Sequence, residues 1–258
     1  MKIAVFVKQV PDSAAKITVE NGVVNWGDAP LVINPWDEYA VEAALLLAEK
    51  HGGEVTAYSL GDENAKEALK HALAMGCQQA VLISDPALAN ADTAAVARAL
   101  AAAAQKDGAD LALFGKQAID WDSGVTPSMT ARVLGWPALS LVAAVPALDP
   151  AGKTIKVERA IEEGRQVVES RLPAALSIVK DYAEPRYPSF MGIRKAAQAQ
   201  IPSWTLADLG ISAPANTVET LEISAPPARE VSNEIITGDS PADIAAKLVD
   251  KIIGEGVL

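Results

Sequence analysis

The chain has 258 residues, half of them hydrophobic and 21% charged, which suits one large or two modest globular domains rather than a disordered protein. Its net charge of -11 sets aside a general nucleic-acid or anionic-membrane binder, because phosphate repulsion is not offset over the molecule as a whole. The single cysteine, Cys77, excludes an internal disulfide and a cysteine-based zinc or iron–sulfur site, and the two histidines, His51 and His71, lie in helical text, so no metal site is expected.

The opening, MKIAVFVKQVPD, runs straight into a strand and lacks the apolar region and cleavage site of a signal peptide. Lys, Glu, Asp or Arg interrupts every apolar helix early, so no membrane span is expected. The expected location is the cytoplasm, or an organelle matrix in a eukaryote.

Ile3–Lys8 reads as a central parallel strand. KITVENGVVNW follows, with β-formers on both sides of Asn21-Gly22, a hairpin signal. INPWDEYAVEAALLLAEKHGG is a marked helix: Asn34 as cap, Pro35 at the first position, Asp37 in the first turn, a buried stripe from Ala40 to Ala48, and Gly52-Gly53 as the stop. EVTAYSLG, QAVLISD and LALFG are further strands. ENAKEALKHALAMG, DTAAVARALAAAAQKDG and TPSMTARVLG are helices between or after them. This alternation predicts a mostly parallel α/β sheet with helices on both faces.

After Pro137 the text ALSLVAAVPALDP, TIKVERAIEEGRQVVESR and LPAALSIVK carries strands with no long helix between them, predicting a mixed or antiparallel extension over 138–180. From 181 to 239 regular signals thin out, apart from a helical patch near Ile193–Ala199. That stretch is either a linker or an arm ordered by a partner. Trp204, Leu206, Leu209, Leu221 and Ile223 make it too apolar for an idle linker and favour the arm. Residues 240–258 end the chain in an amphipathic helix capped by Ser240.

The sequence contains no GxSxG, HExxH, CxxC, GxGxxG or P-loop. The most informative stretch is GKQAIDWDSGVTPSMTARVLGWP, a strand end, a loop and a helix start. With Thr126-Pro127 as cap and first helical residue, backbone N–H groups from Ser123 to Met129 would face a crevice and suit a phosphate. Asp120 and Asp122 would repel a phosphate if they faced it, or else brace the loop or accept from a ribose or an amine. An ordinary capped helix with a long entry loop explains the same text. Phe6–Lys8, Asn34–Asp37 and Ala57–Gly61 should converge on this crevice. A nucleotide fits there, its base near Phe6 and Leu60 and its phosphate over Ser123–Thr126. No nucleophile or acid–base pair accompanies it, which suggests binding without catalysis.

The ordered set VKQVPD, NPWDEYAVEAAL, ALAMG, GKQAIDWDSGVTPSMTARVLGWP, VERAIEEGRQVVESRLPAALSI, EPRYPSFMGIRKA and LADLG closely resembles the beta subunit of electron transfer flavoproteins, the family that includes FixA proteins, over essentially the full length. The resemblance implies a Rossmann-like fold of the adenine nucleotide alpha hydrolase type, with a small antiparallel extension and a C-terminal arm. It divides the chain into a nucleotide-binding domain at 1–180, a recognition loop and partner-embracing arm at 181–239, and the terminal helix at 240–258. It implies an electron-carrier subunit, not an enzyme, in a heterodimer with an alpha subunit that holds or shares FAD. Electrons would come from acyl-CoA or other flavoprotein dehydrogenases and pass to a quinone oxidoreductase or another acceptor.

The resemblance also supplies the ligand, a structural AMP. The alternative is a second FAD in an electron-bifurcating type that uses NADH. The implied contacts are Phe6, Val7, Asn34, Pro35, Trp36, Asp37 and Leu60, together with the loop Gly115, Lys116, Gln117, Ala118, Ile119, Asp120, Trp121, Asp122, Ser123, Gly124, Val125 and Thr126. The implied docking residues are Tyr187, Phe190, Met191, Arg194 and Lys195, with Phe190 at the family's apolar anchor position. Ser13 departs from the family, standing where some members carry a tyrosine near the flavin. Trp121 is unusual beside the nucleotide loop.

Overall fold

In the computed structural model, which describes residues 1–227 and 233–256, the unbroken apolar runs become inner strands of one sheet. Strand β1 (Lys2–Phe6) alternates its side chains between two cores, Val5 toward one helical layer and Phe6 toward the other. A detour follows. Strands β2 (Gln9–Pro11) and β5 (Leu31–Ile33) pair antiparallel and close the base of a hairpin made by β3 (Thr18–Glu20) and β4 (Val23–Asn25). At its tip Asn21 and Gly22 both take positive φ, 52° and 75°, the twist that a two-residue turn requires.

Helix α1 (Pro35–His51) then leads to β6 (Glu54–Leu60), and α2 (Lys66–Met75) leads to β7 (Gln79–Ile83). Helix α3 (Thr93–Asp107) carries the chain back across to β8 (Leu111–Gly115), and α4 (Thr126–Leu134) follows. Helices α1 and α2 cover one face of the sheet, while α3 and α4 cover the other. The buried alanines of α3, such as Ala95, Ala99 and Ala103, let that helix lie close on the sheet. Fully buried Ile3, Leu82, Leu111 and Leu113 each stabilise the fold by about 1.5–3 kcal/mol.

Beyond α4 come β9 (Ala138–Asp149), β10 (Thr154–Ile161), β11 (Gly164–Arg171) and β12 (Ala174–Ile178). Here the structure refines the expected extension over 138–180. Strand β12 and the first part of β9 run parallel inside the core, β12 lying between β9 and β8. The antiparallel pairs here are β9–β10 and β10–β11, so β10 runs against both of its neighbours. The text AALSI carries no charge and is buried along its whole length, the mark of an inner parallel strand. A long β-hairpin, rather than a helix, makes the crossover to it.

Helix α5 (Phe190–Ala197) begins three residues before the predicted patch because Ser189 caps it, its Oγ accepting from the Gly192 N–H. Strand β13 (Ser203–Trp204) adds a ninth strand beside β7, and Leu206 and Leu209 are buried against the α3 face. This part of the expected partner-embracing arm is therefore ordered by the chain's own core. Farther along, Asp92 at the start of α3 accepts from the Thr217 Oγ1–H and the Val218 N–H.

Residues Ser224–Leu258 form a separate compact unit. Within it, α6 (Pro241–Gly254) is capped as expected, the Asp243 N–H donating to Ser240 Oγ at 3.2 Å. Residues 228–232 of the arm and 257–258 of the terminal segment lie outside the described residues. No helix among the described residues is long and apolar enough to cross a membrane.

Candidate functional site

The chain leaves β1 through α1 toward β6 on one side and later returns through α3 to β8 on the other. The strand order reverses at β1 and β8, and in sheets of this kind the crevice outside the carboxyl ends at such a reversal is the usual ligand position.

Asp37 lies buried beside these strand ends. Its Oδ2 accepts from the Lys8 N–H at 2.8 Å and its Oδ1 from the Gly115 N–H at 3.2 Å, joining the ends of the two strands to the first turn of α1. Burial raises its pKa from 3.8 to about 7, against the opposing pull of those hydrogen bonds. With both oxygens occupied by main-chain donors, Asp37 acts as a staple rather than an acid or base. Gly115 is required for this approach: a Cβ there would stand 2.4 Å from Asp37 Oδ1 and 2.6 Å from the Trp36 carbonyl carbon.

Asn34, expected as a helix cap, does something else. It makes no side-chain cap bond. Its Nδ2–H donates to the Gln117 carbonyl at 2.8 Å, and its Oδ1 accepts from the Ile119 N–H at 3.2 Å. The fully buried side chain therefore pins the loop after β8 to the start of α1. Replacing it with alanine orphans both loop groups, at about 1–3 kcal/mol. Asn34→Ala should speed hydrogen exchange across residues 116–125 while sparing β1 and β8, and unchanged exchange in the loop would contradict this role.

The two loop aspartates are also engaged in bracing. Asp120 Oδ2 meets Lys8 Nζ at 2.5 Å, and its Oδ1 accepts from the Trp121 N–H at 2.9 Å. Asp122 accepts from the Gln117 side-chain amide, and its φ of 54°, followed by 61° at Gly124, curls the loop. Both carboxylates therefore brace the loop, through Lys8, the Trp121 N–H and the Gln117 amide.

The helix start differs in detail from the expectation. Val125 holds the cap position without a side-chain cap bond, and Thr126 is already the first helical residue. The Met129 N–H donates to the Val125 carbonyl at 3.0 Å and is not free. The amides of Ser123, Gly124, Val125 and Thr126 find no protein acceptor among the described residues. This is the unsatisfied set that an anion at a helix start would meet.

The Phe6 ring is buried and stacked on Phe114 at 4.6 Å between centroids, so what Phe6 offers the crevice is main chain. The Val7 N–H is already taken by the Tyr58 carbonyl at 2.8 Å, while Leu60 is half-buried at the end of β6. Pro35 occupies the first turn of α1, and Lys116 Nζ sits over the Trp36 ring at 5.4 Å. Ala118 is half-buried in the pinned loop, whereas Trp121 is 67% exposed. Ser13 is exposed in the turn held by Asp12, which accepts from the Ala14 N–H at 2.8 Å.

The docking candidates gather away from the crevice on and before α5, which packs on α2. Tyr187, Phe190 and Met191 are 93%, 81% and 70% exposed, and Arg194 and Lys195 are exposed beside them. Sequence reading placed Lys8 at the crevice edge without its contact to Asp120, and it missed Arg186, between Pro185 and Tyr187, which grips two glutamates of α1.

A family model described as the electron transfer flavoprotein domain matches residues 22–209. The chain is 39% identical over 218 residues to protein FixA of Azorhizobium caulinodans, covering 82% of this chain and 77% of that protein. It is 36% identical to the caffeyl-CoA reductase-Etf complex subunit CarD of Acetobacterium woodii, over 98% of each chain. It is 34% identical to the electron transfer flavoprotein subunit beta of Bacillus subtilis, over 99% of this chain and 98% of that one.

Proposed function

Because the chain belongs to the electron transfer flavoprotein beta-subunit family, whose members are electron carriers and not enzymes, we propose that it pairs with an alpha subunit and seats AMP in the β1–β8 crevice. The observation that carries this reading is the loop over Ser123–Thr126: its amides are open, its aspartates are turned to bracing, and Asn34 fixes its position. Four neighbouring N–H groups without a protein acceptor at a helix start suit a phosphate without any glycine signature. The Phe6 and Leu60 strand ends offer main chain to a base, and the Asn34–Asp37 turn closes the side.

In this reading FAD, held or shared by the alpha subunit, supplies the redox chemistry. The residues of this chain bind, brace and dock. Electrons arrive from an acyl-CoA or other flavoprotein dehydrogenase and leave to a quinone oxidoreductase or another acceptor. Such transfer depends on close approach of cofactors rather than on side-chain acids and bases, in keeping with an Asp37 whose oxygens are both committed to backbone. Tyr187, Phe190 and Met191, flanked by Arg194 and Lys195, form the donor-facing patch; exposed aromatic and Met side chains beside cations suit a protein contact.

The test is to purify the chain with its partner subunit, denature the complex, and quantify released FAD and AMP by chromatography. One FAD and one AMP per heterodimer is the expected result. Two FAD and no AMP would assign the crevice to a second flavin, as in a bifurcating machine. A stable monomer that releases no nucleotide would end the reading.

A further inference from the structure

The stretch that enters α5 passes an arginine bound far more tightly than a surface loop requires. The Arg186 N–H and its Nε–H both donate to Glu42 Oε2, at 3.1 and 2.8 Å, and Nη2 donates to Glu42 Oε1 at 3.0 Å. Nη1 reaches Glu49 Oε1 at 2.7 Å. Both glutamates lie on α1, and Glu42 is only 5% exposed. A bidentate guanidinium–carboxylate pair that includes the main-chain N–H fixes the backbone at residue 186 in direction as well as place.

A second fixed point lies six residues on. A Cβ at Gly192 would stand 2.4 Å from the Ala74 carbonyl oxygen, so the α5 backbone rests directly on the last turn of α2. Between the two anchors Tyr187, Phe190 and Met191 point outward with little packing of their own. Their positions are set by the anchored backbone. The helix that holds Arg186 is also the one whose start supplies Asn34 and Asp37 to the crevice, so patch and crevice hang from one rigid element.

We propose that Arg186, through Glu42 and Glu49, is a positioning residue that keeps the Tyr187–Met191 patch preformed on α1 for docking a flavoprotein dehydrogenase. The inference rests on the docking role given to that patch above. Ordering a free segment at the moment of binding costs conformational entropy that a preformed one has already lost, so loosening the clamp weakens docking without touching the flavin.

The test uses the heterodimer with its alpha subunit and FAD, and a dehydrogenase reduced by its own acyl-CoA, selected because it reduces the wild-type heterodimer. The main variant is Glu42→Gln with Arg186→Gln, which removes the clamp without leaving a buried unpaired charge. The apparent KM for the heterodimer should rise about tenfold, with kcat and the flavin potential unchanged. Arg186→Lys, which keeps the charge and loses the bidentate grip, should fall in between. Exchange of the amides at 187–193 should quicken in step.

An unchanged KM in a variant that retains its flavin overturns the proposal, whatever the exchange rates show. A drop in melting temperature with KM unchanged does the same, since that is what a merely structural clamp predicts. If the double variant does not fold, Glu49→Gln at the exposed end of the clamp is read by the same criterion, with a rise of about twofold expected. A wild-type heterodimer that no flavoprotein dehydrogenase reduces would count against the docking reading itself. A normal wild type with unaffected variants would count against the role of Arg186 alone.

Discussion

Gly115→Ala should lower the melting temperature by roughly 10 °C and, on the function proposed above, weaken nucleotide binding. The added Cβ would lie 2.4 Å from Asp37 Oδ1, 2.6 Å from the Trp36 carbonyl carbon and 2.7 Å from its oxygen. Two of those atoms are backbone and cannot swing aside, so either α1 backs away from β8 or the end of β8 is pushed out. Overpacking of this kind costs about 3 kcal/mol or more when no flexible side chain can yield. In a chain of this length each kcal/mol shifts the midpoint by about 2–4 °C. Either movement breaks the bond from the Gly115 N–H to Asp37 and displaces the loop that Asn34 pins, so nucleotide released on denaturation should fall with stability. Gly254→Ala is the control, because no atom of the described residues lies within 4 Å of a Cβ at that position. A Gly115→Ala protein that melts with the wild type would show that the close approach of α1 to β8 is not needed.

Asp37→Asn should change how stability depends on pH, with a sign that follows from the direction of the shift. The folded-state pKa is raised from 3.8 to about 7, burial being the largest cause. Between those values the folded chain keeps a proton that the unfolded chain has released. The stability that Asp37 contributes is therefore fully present below about pH 4, is lost as pH rises toward 7 at up to about 1.4 kcal/mol per pH unit, and is level beyond. Asparagine does not titrate. Urea unfolding at pH 4.5, 6 and 8 should show the wild type losing ground to the variant by a few kcal/mol across that range. A difference that stays constant with pH would mean that Asp37 is not held in the buried, desolvated state described.

The same substitution separates the staple from its charge. Asparagine has a single carbonyl oxygen, so it can accept from the Lys8 N–H or the Gly115 N–H but not meet both as the carboxylate does. Loop order and nucleotide retention should therefore suffer in Asp37→Asn even at the pH where its global stability gains most. Stability and function would move in opposite directions, as expected of a group kept for position at some energetic cost.

Much of the architecture was legible because it rests on local rules. The turn at Asn21-Gly22, the Pro35 start of α1 and the Ser240 cap of α6 each depend on a few neighbouring residues, and each formed as read. That the ends of β1, β6 and β8 lie on one side of the sheet was legible too, since the strands pair in parallel. Less visible were the parallel place of β12, read only as part of a mixed or antiparallel extension, and β13, a two-residue strand whose text gives no β signal. Their places are set by which edge or gap in the sheet stands open, and that is a property of the assembled sheet.

By itself, then, the sequence determined the alternating parallel fold and the family, and it singled out the stretch proposed to seat a ligand. The tertiary structure decided what individual polar side chains do there. Asn34 could have capped its own helix, yet it bonds a loop 83 and 85 positions away. Asp37 could have served the first turn of α1, yet it joins strand ends 29 and 78 positions away. The physical reason is one of range. Periodicity, capping and turn rules report interactions across about four residues, whereas a buried carboxylate or amide takes whichever unpaired N–H or carbonyl the packed chain brings within 3 Å.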